Sequence, residues 1–374
     1  MSKADIVLLG YYGQKNFGDD VLMAVAYQIS QQIMPGASIA LRTSTSETYP
    51  TKLLGASISH LPFGTRDEHS LIIHGGGGTF FDFGRHTLAH RLRNKALFAA
   101  GTTAFLWGER RLRLAMGKPR LAAQKRIGLG MGIGTFSAGS PKLLEALPVL
   151  EDFDALWVRD LQSRSNIERL RISPPIIEGS DLAFLTDGWC PSSLRLSQPP
   201  SRPARPRVGV ILRDWPTASG TAFGQRIAPT LEYLARQYDL TLISLDQNTD
   251  QGTLQALRHL PQVIWQPDRD SFEDFATKLV QQDVLLTSRA HGAICGACVG
   301  RASVILEIEP KLSTVHAMLP RASRLIAPDS NGAEVAKTIE EALSIPLDAI
   351  AADVYHNGAA SKSALNSVVM RAGL

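Results

Sequence analysis

Short apolar runs alternate with longer amphipathic segments along most of the chain. Apolar runs that stop at glycine or at an acid read as buried strands. The segments between them, with apolar residues every three or four positions, read as helices. In the first half this pattern predicts strands at DIVLLG, SIALRT, SLIIHG, KRIGLGMG, ALWVRD and PIIEGS, with the helix DDVLMAVAYQISQQIM after the first. A proline-rich stretch without apolar periodicity, CPSSLRLSQPPSRPARPR, then interrupts the alternation. Strands resume at VGVILRD, LTLISLD, QVIWQ, DVLLTSR, ASVILEIE and RLIAP. Alternation of this kind predicts parallel sheets covered by helices. The expected fold class is therefore α/β, with two Rossmann-like doubly wound domains facing a cleft. The expected limits are 1–189 for an N-terminal, acceptor-side domain, 190–206 for a Pro-rich linker and 207–350 for a donor-side domain. Residues 351–374 are expected to form a C-terminal helix that packs back on the first domain.

A chain of 374 residues suits two domains. Its 44% hydrophobic and 20% charged residues are those of a soluble globular protein. No run approaches the roughly 18 consecutive apolar residues of a membrane span. The opening MSKADIVLLGYYG does not read as a signal peptide, because Asp5 interrupts it and a glycine-rich turn follows. Three cysteines make no disulfide framework, so the expected setting is a reducing cytoplasm. The formal charge of +4 is too small to imply a nucleic-acid partner, and no nucleic-acid motif accompanies it. The basic residues are nevertheless concentrated: from Arg85 to Arg126 there are eleven Lys or Arg and one acid, Glu109. The apolar segment 96–108, carrying Trp107, lies inside that tract. Two readings stand side by side. One is a basic helical pair packed on the sheet; the other is a peripheral contact of 85–126 with the anionic inner face of a membrane.

Candidate chemistry gathers at predicted strand ends, where open α/β sheets bind ligands. In VLLTSRAHGAICGACVG, the strand residues Val284, Leu285 and Leu286 lead to Ser288, Arg289 and His291. A helix expected after Gly292 would turn its N–H groups and positive dipole end toward the same point. Such a turn suits an anion beside a titratable group. Arg213 ends VGVILRD, and its planar five-donor guanidinium suits a carboxylate or phosphate. The alternative is an ion pair with Asp214 or another neighbour. In GYYGQKNFGDD, Gly10, Gly13 and Gly18 permit a tight turn and close approach of a ligand. Asp19 or Asp20 can cap the following helix. In IIHGGGGTFFD, Gly75, Gly76, Gly77 and Gly78 offer a run of N–H groups as an anion cradle, while His74 is either a participant or a core histidine. The glycines of LGMGIGTF either line the same cleft or pack tightly on a neighbour. Arg159 with Asp160 reads as a local pair, and Asp181 as a turn cap. His291, Cys295 and Cys298 hint at a metal, but no fourth ligand has a suitable spacing, so no metal is expected and the cysteines read as buried hydrophobes.

The motifs GYYGQKNFGDD, HGGGGTFFD, GLGMGIG, VRDLQS and SRAHG, in this order, resemble the polysaccharide pyruvyl transferase family over residues 5–312. The resemblance implies a GT-B-like fold. It implies transfer of pyruvate from phosphoenolpyruvate to sugar hydroxyls of a bacterial exopolysaccharide or its lipid-linked precursor, as a ketal. It places Arg289 and His291 at the family's Arg-x-His-Gly positions and Arg213 at its strand-end arginine. Leu182 and Ala302 depart from the family pattern, which has proline at both turns. Residues and resemblance together nominate His291, Arg289 and Arg213 as catalytic, with His291 as acid/base. They nominate Gly13, Asn16, Gly18, Asp19, Gly75, Gly76, Gly77, Gly78, Ser288, Gly292 and Lys311 as donor- or substrate-binding. The expected partners are phosphoenolpyruvate as co-substrate and an oligosaccharide or lipid-linked saccharide as acceptor, with no cofactor. Two competing readings are a glycosyltransferase that holds a nucleotide-sugar ribose through Glu307 or Glu309, and a non-catalytic polysaccharide-binding protein.

Overall fold

In the computed structural model, residues 4–43, 48–62, 67–82, 121–136, 140–172, 174–198, 204–214 and 223–374 are described. Each predicted apolar run becomes a strand. The first half orders β1 (Ile6–Leu9), α1 (Phe17–Ile33), β2 (Ile39–Arg42), α2 (Tyr49–Leu54), β3 (Ser59–Leu61), β4 (Glu68–Asp82), β5 (Ala122–Phe136), α3 (Pro141–Glu151), β6 (Ala155–Val158), α4 (Leu161–Arg169) and β7 (Ile176–Glu178). The second half orders β8 (Arg207–Ile211), α5 (Phe223–Leu234), β9 (Asp239–Ser244), α6 (Gln251–Ala256), β10 (Gln262–Ile264), α7 (Phe272–Val280) and β11 (Val284–Thr287). It continues with α8 (Ala290–Cys298), β12 (Ser303–Leu306), α9 (Lys311–Met318), β13 (Ser323–Ile326), α10 (Gly332–Leu343) and α11 (Leu347–Ala372).

The first sheet runs β3-β2-β1-β4-β5-β6-β7 and the second β10-β9-β8-β11-β12-β13, with every pairing parallel. Both orders reverse after a central pair, β1 with β4 and β8 with β11. Open α/β sheets bind ligands at that reversal. Register fixes what emerges there. Leu9 pairs with His74, so the loop after β1 and the glycines after His74 leave the first sheet together. Ile211 pairs with Thr287, so Arg213 and Ser288 leave the second sheet together.

Two helices cross between the sheets. α1 covers the first sheet with Val21, Leu22, Val25 and Ile29, all buried. At its start Phe17 enters the second half, with ring centroids 4.5 Å from Phe275 and 5.1 Å from Trp265, and 6.1 Å from Trp189 of its own half. The Phe17 N–H donates to Leu245 O at 2.8 Å. α11 returns from the second half to the first: Ser180 Oγ donates to Asn357 Oδ1 at 2.6 Å, and Ser361 Oγ to Asp181 O at 3.2 Å.

Three local features differ from the sequence reading. β3 was not expected; its SHL is short, polar and at the sheet edge. β4 does not stop at His74 but continues through the glycines to Asp82, paired with β5 at Gly75↔Leu129, Gly77↔Met131 and Gly78↔Gly132. α8 opens at Ala290, not after Gly292. Most of the basic tract 85–126, with Trp107, lies outside the described residues. Among the described residues no helix is long and apolar enough to cross a membrane.

Candidate active site

The two reversals face each other, and the first turn of α1 stands between them. Asn16 caps α1 with extended backbone, and its Oδ1 accepts the Gly18 N–H at 3.0 Å. The cap is thus Asn16, and Asp19 and Asp20 fall inside the first turn instead. Gly18 is required by a contact across the cleft. A Cβ built on it would lie 2.1 Å from Nδ1 of His291 and 2.5 Å from its Cγ. His291 therefore packs directly on the backbone of α1.

On its other edge, His291 Nε2 lies 3.8 Å from Oδ1 of Asp181. Nε2 is buried and makes no hydrogen bond. Asp181 caps the turn at Leu182–Phe184 by accepting the Ala183 N–H at 3.0 Å, as the sequence suggested, and also accepts from Arg159 Nη1 at 3.1 Å. Arg159 pairs with Asp160 too, Nε to Oδ2 at 3.2 Å. Gly132 leaves room for this guanidinium, since a Cβ there would come within 2.8 Å of it. Burial works to raise the Asp181 carboxyl, but His291, Arg159 and the Ala183 N–H together hold it down at about 2. Asp19, half-buried, goes the other way: burial pushes its carboxyl up to about 6 against the pull of His291 and Lys311.

Arg213 and Lys311 meet at Glu309. Nη1 of Arg213 lies 3.5 Å, and Nζ of Lys311 2.8 Å, from the same oxygen, Oε1. Glu309 is buried, while the two cations keep partial exposure toward the cleft. Burial lowers the pKa of both cations. Asp214 does not pair with Arg213; it accepts from the N–H of Thr253 at 2.7 Å and from its hydroxyl.

Arg289 and Ser288 turn inward, unlike the sequence reading. Arg289 is 8% exposed. Its Nε donates to Leu212 O at 3.2 Å, and its Nη2 donates to Thr249 Oγ1 at 2.9 Å and to Asp250. It braces the turn 246–250 instead of offering its guanidinium to the cleft. Ser288 is fully buried, and its Oγ accepts the backbone N–H of Arg213 at 2.9 Å. Gly292 packs on Thr287, where a Cβ would lie 2.4 Å from Oγ1, and its N–H donates to Arg289 O at 3.1 Å. That N–H is already used within the turn.

The glycine run also divides. Gly75 makes room for Tyr12, whose hydroxyl donates to Gly75 O; Gly76 packs on Leu22. Gly76 and Gly77 have φ of +70° and +75°, a region that favours glycine. Only Gly77, 3.5 Å from Asp19 at its Cβ position, and exposed Gly78 border the cleft. Gly13, φ +76°, shapes the turn after β1. His74 is a core histidine: Arg126 Nη1 lies 2.9 Å from its Nε2, and Phe153 packs on it. Cys295 and Cys298 are buried, and burial raises both thiols.

Sequence reading missed Tyr11, Asp246 and Asp250. Tyr11 is 56% exposed and within electrostatic reach of Asp246, Asp19 and Arg213. Oδ1 of Asp246 accepts the N–H groups of both Asn248 and Thr249 at 3.1 and 3.2 Å, folding the turn, and Oδ2 accepts from Asn16 Nδ2 at 3.5 Å. An exposed aromatic beside three glycines was the available signal for Tyr11.

Solved structures of similar fold include an S. aureus MnaA–UDP co-structure, with TM-score 0.56, 11% identity, and 99% of this chain and 96% of that one covered. UDP-GlcNAc 2-epimerase from Neisseria meningitidis bound to UDP-GlcNAc aligns with TM-score 0.55 and 10% identity over 98% and 99%. Sucrose-phosphate synthase from Thermosynechococcus elongatus gives 0.50 and 12% over 98% and 97%. These likenesses establish a GT-B-like α/β fold and nothing of its chemistry. No curated protein matches the chain. The family model described as polysaccharide pyruvyl transferase matches residues 16–310, a span that holds α1, β4, the reversal of the second sheet, Arg213, His291 and Glu309. The chain is accordingly a member of the polysaccharide pyruvyl transferase family.

Proposed function

We propose that the protein transfers pyruvate from phosphoenolpyruvate to two hydroxyls of one sugar in a bacterial exopolysaccharide or its lipid-linked precursor, forming a cyclic ketal. The observation that carries this reading is the meeting of His291, Asp19, Arg213 and Lys311 at the facing reversals of the two sheets. Phosphoenolpyruvate bears a phosphate and a carboxylate on three carbons, so its site needs cations set close together. Arg213 and Lys311, both at Glu309, are the pair for these anions.

In this reading the first sugar hydroxyl attacks C2 of phosphoenolpyruvate as C3 takes a proton from the acid, and the hydroxyl proton passes to a base. A tetrahedral phospho-ketal results. Phosphate then leaves with its bonding electrons, stabilised by Arg213 and Lys311, and C2 becomes oxocarbenium-like. The second hydroxyl adds to C2 and gives up its proton, which leaves the ketal and inorganic phosphate. His291 is the acid/base. Asp19, whose carboxyl sits near 6, is the adjacent proton-carrying group.

The nucleotide-sugar alternative needs an uncommitted carboxylate for the ribose. Glu309 is engaged by Arg213 and Lys311, and Glu307 accepts from Ser313 Oγ. Phosphate release from phosphoenolpyruvate, measured with and without a bacterial lipid-linked oligosaccharide extract, tests the proposal. Release should require the extract and should fall by on the order of 10²–10⁴-fold in His291→Ala. Full turnover in that variant would remove His291 from the mechanism.

A further inference from the structure

Arg159, Asp181 and His291 form a buried chain that crosses from one half of the molecule to the other. Arg159 follows β6 and Asp181 follows β7, whereas His291 stands in the first turn of α8. Arg159 Nη1 donates to Asp181 Oδ2 at 3.1 Å, and Asp181 is wholly buried. Its other oxygen, Oδ1, lies 3.8 Å from His291 Nε2, which is itself buried and makes no hydrogen bond.

A bare Nε2 would turn its lone pair toward the Asp181 carboxylate, which also accepts from Arg159. In a buried site that contact is repulsive, and a proton on Nε2 makes it attractive. The other ring nitrogen, Nδ1, lies on the edge that meets Gly18 and the first turn of α1. The side chain is 15% exposed, and because Nε2 is buried this exposure belongs to the rest of the ring.

We propose that Arg159 and Asp181 are positioning residues that hold the His291 ring proton on Nε2, leaving Nδ1 as the nitrogen that exchanges protons with the substrate. The proposal rests on the reading of His291 as the proton carrier. It assigns a purpose to VRD and GSD, motifs that otherwise look like local pairs and turn caps. The 3.8 Å separation exceeds an N–H···O hydrogen bond by about 1 Å, so in this structure the pair acts through charge and orientation. The depressed Asp181 carboxyl agrees with a pair that attracts.

The test is ¹⁵N NMR of the full chain labelled at histidine, recorded above the range in which histidine ordinarily titrates. The His291 signals are assigned by their loss in His291→Gln. The expected neutral ring is protonated at Nε2 and bare at Nδ1. In Asp181→Asn, whose amide can donate to Nε2, the proton moves to Nδ1. Acceptor-dependent turnover in that variant falls by on the order of 10²–10⁴-fold, as wrong-tautomer variants of His–Asp dyads do, with little change in the KM for phosphoenolpyruvate. Arg159→Lys, which leaves Asp181 in place, keeps the wild-type tautomer. A wild-type ring protonated at Nδ1, or an unchanged tautomer in Asp181→Asn, would overturn the proposal. If Asp181→Asn does not fold, the wild-type tautomer decides alone. The spectra need no substrate, so an Nε2-protonated ring in a protein that never uses phosphoenolpyruvate would count against the functional reading only.

Discussion

At position 18 one hydrogen atom separates a working contact from a collision. Alanine would place its Cβ 2.1 Å from Nδ1 of His291, and the imidazole would have to swing out of the cleft. Gly18→Ala is therefore expected to lower turnover by about 10²-fold, the scale set by an ångström of misplacement, while leaving the thermal midpoint nearly unchanged. Steady-state kinetics beside a melting curve checks it. A fall in stability that accounts for the lost activity would show that Gly18 serves folding alone. Several candidate site residues were legible in the chain because they sit at the ends of apolar runs. Arg213 and His291 are of that kind. The orientation of a side chain was not legible. Arg289 and Ser288 share the strand end with His291, yet Arg289 turns back onto Asp250 and Ser288 onto the backbone of Arg213. Their partners lie far away in sequence, on a turn and a strand that spacing alone cannot bring near.

The first turn of α1 joins the two halves as well as bordering the candidate site. Phe17 inserts among aromatics of the second half, and Asp20 is buried between the two halves. Tyr49 Oη donates to Asp20 Oδ1 at 2.7 Å, and Trp265 Nε1 donates to Oδ2 at 2.7 Å. Burial pushes the Asp20 carboxyl up to about 7, against the opposing effect of those two hydrogen bonds. A carboxyl raised in the folded state binds its proton there more tightly than in the unfolded chain. Its contribution is thus fully present below the ordinary value near 4 and is lost as pH rises through about 7. The thermal midpoint should fall between those limits, and Asp20→Asn, which does not titrate, should flatten the fall. An equal slope in the variant would place the pH dependence elsewhere. Strand existence was readable from apolar runs because both faces of these sheets are covered. β3 was not, being an edge strand of three residues with two polar positions. The length of β4 was not either. Glycines signal a turn, yet here they continue the ladder with β5 while Tyr12 and Leu22 fill the space that side chains would need.

For the whole molecule, the orders of the two sheets set where the candidate site lies. Both halves share a parallel order with the same reversal, the first sheet carrying one more strand, β7, and α1 and α11 bind the halves so that the reversals face. That there are two such halves followed from strand–helix alternation and a proline-rich interruption. The direction in which the two reversals look did not, because it depends on contacts such as Phe17 with Trp265 and Asn357 with Ser180. The GT-B-like frame itself leaves the donor open, since proteins of this shape include one solved with UDP-GlcNAc. Residues at the cleft must distinguish the donors. Arg213 and Lys311 at Glu309, with His291 beside Asp19, suit a small acid phosphate.

Calorimetric titration of the purified protein with phosphoenolpyruvate, repeated on Arg213→Ala and with UDP- and GDP-sugars, tests that claim most directly and needs no knowledge of the acceptor. Saturable binding of phosphoenolpyruvate is expected, weakened on the order of 10²-fold in Arg213→Ala, where a cationic partner of the bound anion is lost. Heat from a nucleotide-sugar with none from phosphoenolpyruvate would contradict it.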